Sequence, residues 1–311
     1  MGYATILDAI GNTPLVELRH LSPNPRVRIF AKLEGQNPTG SLKDRIAPYM
    51  INGAEESGEL THDRVILEAT SGNTGISLAM IGIIMGYKVK VVMPDNLSEE
   101  RTQLLQAFGA QVVYSDGARG TNGAIALAQR MAEEDHHYYM PYQFGNEDNP
   151  RAHYETTGVE ILRDLPDLDV FVAGLGTGGT LTGVGRRLKE HNPKIKVIAT
   201  APYPGDLVQG LRSLEEGFVP AVLDESVLDG RMVVHSRTSF AAAKELLQKE
   251  GIFAGVSSGA VLRIAQRVAQ RMGRGKIVVL LADGGWKYLS TGLWTKSYAE
   301  LPEDIEAEVW W

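Results

Sequence analysis

The chain has 311 residues, no cysteine, 43% hydrophobic and 22% charged residues, and 31 basic against 38 acidic side chains for a net charge of −7. This suits a globular protein of about two ordinary domains and excludes a disulfide framework, a Cys-ligated metal and a Cys nucleophile. The acidic balance disfavours nucleic acid and anionic membrane as partners, and with neither a run of about 18 apolar residues nor a leader-like start, no membrane span or signal peptide is read and a cytoplasmic location is expected.

Short β-branched runs, Gly-rich turns and amphipathic stretches alternate along the chain. Arg64–Thr70 reads as a buried strand, residues 71–75 as a turn, and Ile76–Met85 as a very apolar helix. Lys88–Pro94 is the next strand, residues 98–108 a helix, Gln111–Ser115 a strand and Asn122–Glu134 a helix. The scheme resumes with a strand at Val170–Ala173, a helix at Gly178–His191 and a strand at Lys194–Thr200. Helices near Ser239–Glu250 and Ala260–Met272 precede a last strand, Lys276–Ala282. Alternating strands and helices give an α/β fold with largely parallel sheets, covered on both faces. The composition shift at Tyr142–Arg151 marks a crossing between two such units. Ligands in such folds sit beyond the carboxyl ends of strands, so the turns after Thr70 and Ala173 are the candidates.

Several motifs compete. Gly174-Leu-Gly-Thr-Gly-Gly179 fits a dinucleotide loop. The following strand ends Ile198-Ala-Thr-Ala201, without the acid expected about 20 residues on for a ribose. What survives is either an anion cradle at a helix N-terminus or a plain tight turn. Gly255-Val-Ser-Ser-Gly259 fits a nucleophile elbow, but no histidine follows His235, so a hydrolase triad cannot be completed in that order. Ser257 can serve a ligand or cap a helix. None of the seven histidines has a metal-ligand spacing, so no metal is expected. Lys43, in Asn37-Pro-Thr-Gly-Ser-Leu-Lys-Asp-Arg45, is either an ordinary lysine or one kept neutral near a positive helix end, as Schiff-base chemistry requires. Ser71-Gly-Asn-Thr-Gly75 can grip a carboxylate or simply cap a turn.

In order, Asn12-Thr-Pro-Leu, Pro38-Thr-Gly-Ser-Leu-Lys-Asp-Arg, Thr70-Ser-Gly-Asn-Thr-Gly, Gly176-Thr-Gly-Gly-Thr and Gly255-Val-Ser-Ser-Gly span nearly the whole chain. The set resembles the fold type II (β-family, tryptophan synthase β-like) pyridoxal-phosphate enzymes, in particular the cysteine synthases. The resemblance implies two three-layer α/β/α domains. The smaller, mobile and substrate-gripping one would span 36–146, with 1–12 associated, and the larger 13–35 plus 147–311. It implies pyridoxal 5'-phosphate on Lys43, which would also be the acid–base group. Gly176, Thr177, Gly178, Gly179 and Thr180 would bind the cofactor phosphate, Asn73 the 3′-oxygen and Ser257 the pyridine nitrogen. Thr70, Ser71, Thr74 and Gln143 would hold the amino-acid carboxylate. The implied reaction is β-replacement on an activated serine through an α-aminoacrylate intermediate, ending in L-cysteine. A homodimer is also implied.

The segment Gly210-Leu-Arg-Ser-Leu-Glu-Glu-Gly-Phe-Val-Pro220 carries an arginine, as in B-type and phosphoserine-using cysteine synthases. Arg212 is therefore either a partner for a phosphate dianion, with O-phospho-L-serine preferred over O-acetyl-L-serine, or a solvated loop arginine. The acidic tail ending Trp310-Trp311 resembles that of enzymes fed by a thiocarboxylated sulfur-carrier protein, in which the tail shields the site; a docking role is the alternative. Ala201-Pro202 stands where relatives often read Glu-Pro. Within the fold, an acetylserine enzyme using sulfide or thiosulfate, and a cystathionine β-synthase-like enzyme, stay open. Outside it, an NAD-dependent oxidoreductase and a non-catalytic binding protein stay open.

Overall fold

The computed structural model of the chain describes residues 3–70, 72–96 and 99–296. In chain order the first half holds β1 (Leu15–Leu18), β2 (Val27–Leu33), α1 (Lys43–Glu56), β3 (Val65–Ala69), α2 (Asn73–Met85), β4 (Lys88–Pro94), α3 (Glu99–Ala107), β5 (Gln111–Ser115), α4 (Gly120–Glu134) and β6 (Tyr138–Tyr139). The second half holds α5 (Asp148–Ala152), α6 (Gly158–Asp164), β7 (Val170–Gly174), α7 (Gly179–His191), β8 (Lys196–Pro202), β9 (Gly230–Val234), α8 (Ser236–Glu250), α9 (Val256–Arg271) and β10 (Gly275–Leu281).

The strands form two sheets. One runs β1-β2-β10-β7-β8-β9, with β1 antiparallel to β2 and every other neighbour parallel. The other runs β5-β4-β3-β6 and is parallel throughout. Successive strand residues point to opposite faces, and both faces are filled. Val170 and Val172 of β7, with Ile277 and Val279 of β10, pack among Phe240, Val261 and Ile264 of α8 and α9. Their neighbours Phe171, Ala173, Val278 and Leu280 pack on the other face with Leu181, Val184 and Leu188 of α7. In the second sheet Ile66 and Val91 face α1 and α2 through Ala47, Ile51, Ile76 and Ala79, whereas Leu67 and Val92 face Ala124 and Ala128 of α4. Strands buried on both sides read as continuous apolar runs, which is why β3, β4, β7 and β10 are visible in the sequence.

Strands β1, β2, β6 and β9 are not expected from the sequence. β1 and β9 lie at sheet edges and mix exposed with buried positions. β2 is interrupted by Arg28 and Lys32. Lys32 is fully buried, and its ammonium meets Glu160 at 2.7 Å and the Thr13 carbonyl at 2.5 Å. Arg45 of α1 completes that cluster by bonding Glu34 and Glu160. The Asn12-Thr-Pro motif thus braces the start of α1 rather than a ligand: Thr13 Oγ1 donates to Glu34 Oε1 at 2.7 Å. The Tyr142–Arg151 crossing contains the beginning of α5, followed by a π-helical turn at His153–Thr157.

Candidate active site

Parallel strands bring their carboxyl ends to one side. The turns after β3, β7 and β10 therefore converge there on a single pocket, together with the start of α1 and the loop after β8. Lys43, Thr70, Asn73, Thr74 and Gln143 line it from one side. Gly176, Thr177, Gly178, Thr180, Arg212 and Ser257 line it from the other. Gly179 does not reach the lining. Ser71 lies outside the described residues, as does the tail, residues 297–311.

Lys43 is the first residue of α1 and half-buried. Burial pulls its amine down to about 8, against the opposing pull of the buried Glu68 carboxylate. Desolvation, rather than the helix end, is the main cause. Glu68 is itself pushed up to about 8 by burial, against hydrogen bonds from the backbone N–H groups of Gln143 and Ala69.

The loop after β7 is shaped by its glycines. Gly178 sits at φ +88° as the N-cap of α7, and a Cβ there would come within 2.8 Å of Leu223. At Gly179 a Cβ would lie 2.0 Å from Asn149 Oδ1, so this glycine keeps the loop closed over Asn149 rather than lining the pocket. Asn149 Nδ2 donates to Thr177 Oγ1 at 3.1 Å and to the Gln143 carbonyl at 2.8 Å, tying the loop to the opposite wall. The Thr180 hydroxyl lies 3.1 Å from His153 Nε2. Burial, reinforced by the charges of Lys43 and Arg45, holds the His153 imidazole neutral.

On the other wall, Tyr142 adopts φ +54°, rare for a bulky residue, and turns the chain so that Gln143 enters the pocket. Gln143 Oε1 accepts from Thr74 Oγ1 at 2.6 Å. Thr70 Oγ1 accepts from the Gly72 N–H at 3.2 Å. Asn73 Nδ2 donates to Asp283 Oδ2 at 2.8 Å, and Asn73 Oδ1 accepts from Lys287 Nζ at 2.6 Å. The Asn73 amide is thus engaged at both ends within the protein. Ser257 is the second residue of α9, with Gly255 in the N-cap position, so its hydroxyl is a pocket group and not the cap. Arg212 is buried, with its guanidinium 4.6 Å from the Phe218 ring centroid and 5.3 Å from that of Phe144, and its Nη1 3.3 Å from Asn122 Oδ1. It is not a solvated loop arginine.

Sequence reading missed Arg101, Phe144, Asp283 and Tyr288 in the lining. Asp283 follows β10 by two residues, so the carboxyl-end rule applied to that strand could have found it. Arg101 comes from α3 and stacks over Tyr288 at 5.4 Å, a pairing with no local signal. Among the described residues there is no cluster of His, Cys, Asp and Glu able to hold a metal, and no helix long and apolar enough to cross a membrane.

These features fit pyridoxal phosphate. The N-terminal turn of α7 offers N–H groups and two nearly buried hydroxyls to a phosphate. A Cβ at Gly176 would lie 2.9 Å from the Gly210 carbonyl, so the loop admits only glycine beside that bed. Lys43 supplies an amine with a depressed pKa. The comparisons agree. The family described as pyridoxal-phosphate dependent enzyme matches residues 6–283. Cysteine synthase B of Salmonella typhimurium is 41% identical over 295 residues, covering 94% of this chain and 97% of that protein. A cysteine synthase of Aquifex aeolicus is 42% identical, covering 94% and 92% respectively. The crystal structure of a hydrogen sulfide-producing enzyme from Fusobacterium nucleatum superposes with a TM-score of 0.88 at 42% identity, covering 92% of this chain and 100% of that one. With its fold, its pocket and these relatives in agreement, the chain belongs to the pyridoxal-phosphate dependent enzyme family.

Proposed function

We propose that the chain makes L-cysteine by β-replacement on an activated serine, with O-phospho-L-serine preferred and O-acetyl-L-serine second. Sulfur would arrive as sulfide or as a carrier-protein thiocarboxylate. The observation that carries the phosphoserine preference is Arg212, a buried guanidinium in the lining of the same pocket as Lys43, Thr74 and Gln143. Its planar fork suits a dianionic phosphate, and the rings of Phe144 and Phe218 brace it.

Pyridoxal phosphate, when bound, supplies the electron sink that makes a substrate α-proton removable. Lys43 would hold it, the Gly176–Thr180 loop would seat its phosphate, and Asn73 and Ser257 would flank its ring. Thr70, Ser71, Thr74 and Gln143 would orient the substrate carboxylate. Thr74 gives its one hydroxyl hydrogen to Gln143 Oε1, so Thr74 would have to release that bond to donate to a carboxylate, whereas the Gln143 NH2 would not. Lys43, with an amine near 8, can release and take up a proton at the α-carbon around neutrality. The smaller unit, 36–146, would close over the substrate, and the aromatic-ended tail would shield the site from water. A homodimer in the cytoplasm belongs to the same reading.

The second reading, acetylserine with sulfide, is favoured by the likeness to the crystal structure of an O-acetyl serine sulfhydrylase from Entamoeba histolytica, 36% identical with a TM-score of 0.87. Arg212→Ala separates the two. Loss of a charge-assisted bond worth about 1.5–3 kcal/mol lowers kcat/KM for phosphoserine about ten- to a hundredfold, with acetylserine turnover nearly unchanged. Equal losses on both substrates, or no turnover of phosphoserine by the parent enzyme, would leave the acetylserine reading.

A further inference from the structure

Lys287 is 1% exposed and does not line the pocket, yet its ammonium donates to Asn73 Oδ1 at 2.6 Å. A buried lysine is costly unless its charge has a partner. Here Asp283 and Asp44 supply opposing charge, and the Trp286 ring lies 5.2 Å from Nζ. The placement has a consequence for Asn73. An ammonium only donates, so it faces the amide oxygen; a carboxylate only accepts, so Asp283 Oδ2 faces the amide NH2. Tyr288 OH also donates to Asp283 Oδ2, at 2.5 Å, which holds that carboxylate in place. The amide of Asn73 therefore has one allowed orientation. Its NH2 carries two hydrogens, Asp283 takes one, and Asn73 itself lines the pocket.

We infer that Lys287 is a positioning residue that locks the Asn73 amide so that its second N–H is presented to the cofactor ring. The inference rests on the proposed role of Asn73 beside that ring. Without the ammonium the amide oxygen loses its partner and Asp283 alone holds the amide, so the aim of the second N–H at the ring oxygen is fixed by one bond instead of two. The lysine lies 214 residues from Asn73 in the chain, within the segment Gly285–Thr291.

The test uses the dissociation constant of pyridoxal phosphate from the apoprotein and the position of the bound cofactor's visible band. Lys287→Met, Asn73→Ala and the double variant are compared with the parent. Lys287→Met should weaken cofactor binding about tenfold and move the band, Asn73→Ala should do the same, and the double variant should lose no more than Asn73→Ala alone. Lys287→Arg, which keeps a donor-only cation, should restore both readouts. If Asn73→Ala changes neither readout, the role of Asn73 fails and the inference falls with it. If Asn73→Ala weakens binding but Lys287→Met does not, or if the two losses multiply, the inference alone is overturned. Should Lys287→Met not fold, Lys287→Gln is read by the same criteria, because a neutral, shorter amide does not reproduce the charge-assisted bond that holds Asn73 Oδ1.

Discussion

Replacing Arg45 by Met tests how the start of α1 is held. Arg45 is 2% exposed and makes five hydrogen bonds: two to Glu34, two to Glu160 and one to the Thr13 hydroxyl. With Lys32 it balances the two carboxylates, so the cluster is formally neutral. Methionine preserves much of the stem but leaves Glu34 and Glu160 sharing one ammonium. Breaking a buried ion pair from one side costs about 3–5 kcal/mol, because the abandoned charge stays buried. Urea unfolding of the apoprotein at pH 7 should then show a midpoint lowered by about 1 M or more, taking a slope of about 3 kcal/mol/M. A second-site Glu34→Gln in the Arg45→Met background should recover part of the loss by removing the uncompensated charge. The acid side gives an independent check. Burial raises the Glu160 carboxyl, but the Arg45 hydrogen bonds and charge overcome it and hold it at about 2, against an ordinary 4.5. That stabilisation is complete above pH 4.5 and fades as pH falls towards 2, so Arg45→Met should flatten the dependence of stability on pH across that window. A loss under about 1 kcal/mol at pH 7, or further destabilisation by Glu34→Gln, would refute the reasoning.

Two other outcomes follow from the pocket. In Gly179→Ala the new Cβ would lie 2.0 Å from Asn149 Oδ1. Displacing Asn149 also loosens Thr177 and Gln143, and overpacking of about 1–3 kcal/mol predicts cofactor affinity weakened roughly tenfold, read by titration of the apoprotein; parental affinity would contradict it. The Lys43 amine, pulled by burial to about 8, is neutral above that pH. The rate at which apoprotein takes up pyridoxal phosphate should therefore climb with pH and level off above about 8, and a climb continuing to pH 10 would show an amine of ordinary basicity.

Much of the fold is legible because its signals are local. The central strands β3, β4, β7 and β10 carry unbroken apolar runs, and the hydroxyl- and glycine-rich turns after β3 and β7 mark where a strand hands over to a helix. The loop Gly176–Thr180 is likewise a run of consecutive residues between a strand and a helix, so it could be singled out as a ligand-facing turn, with a phosphate role only what the family resemblance implied. The edge strands β1 and β9 escaped because one-sided burial mixes polar with apolar residues, and β2 because Lys32 and Arg28 interrupt its pattern.

By itself, then, the sequence determined the α/β architecture and two of the turns that line the pocket, and it offered Lys43 as a candidate. Tertiary structure alone decided what each of those groups touches. It set Arg212 beside Asn122, ninety residues away, and Lys287 and Asp283 on the Asn73 amide. It buried Lys43 deeply enough to lower its amine, and it made the Asn12-Thr-Pro motif a brace for Arg45. The reason is physical. Periodicity and turn chemistry report whether a residue faces a core or ends an element, and they act over a few residues. Hydrogen-bond partners, desolvation and fields are set by groups that only the packing of separate elements brings within a few ångströms.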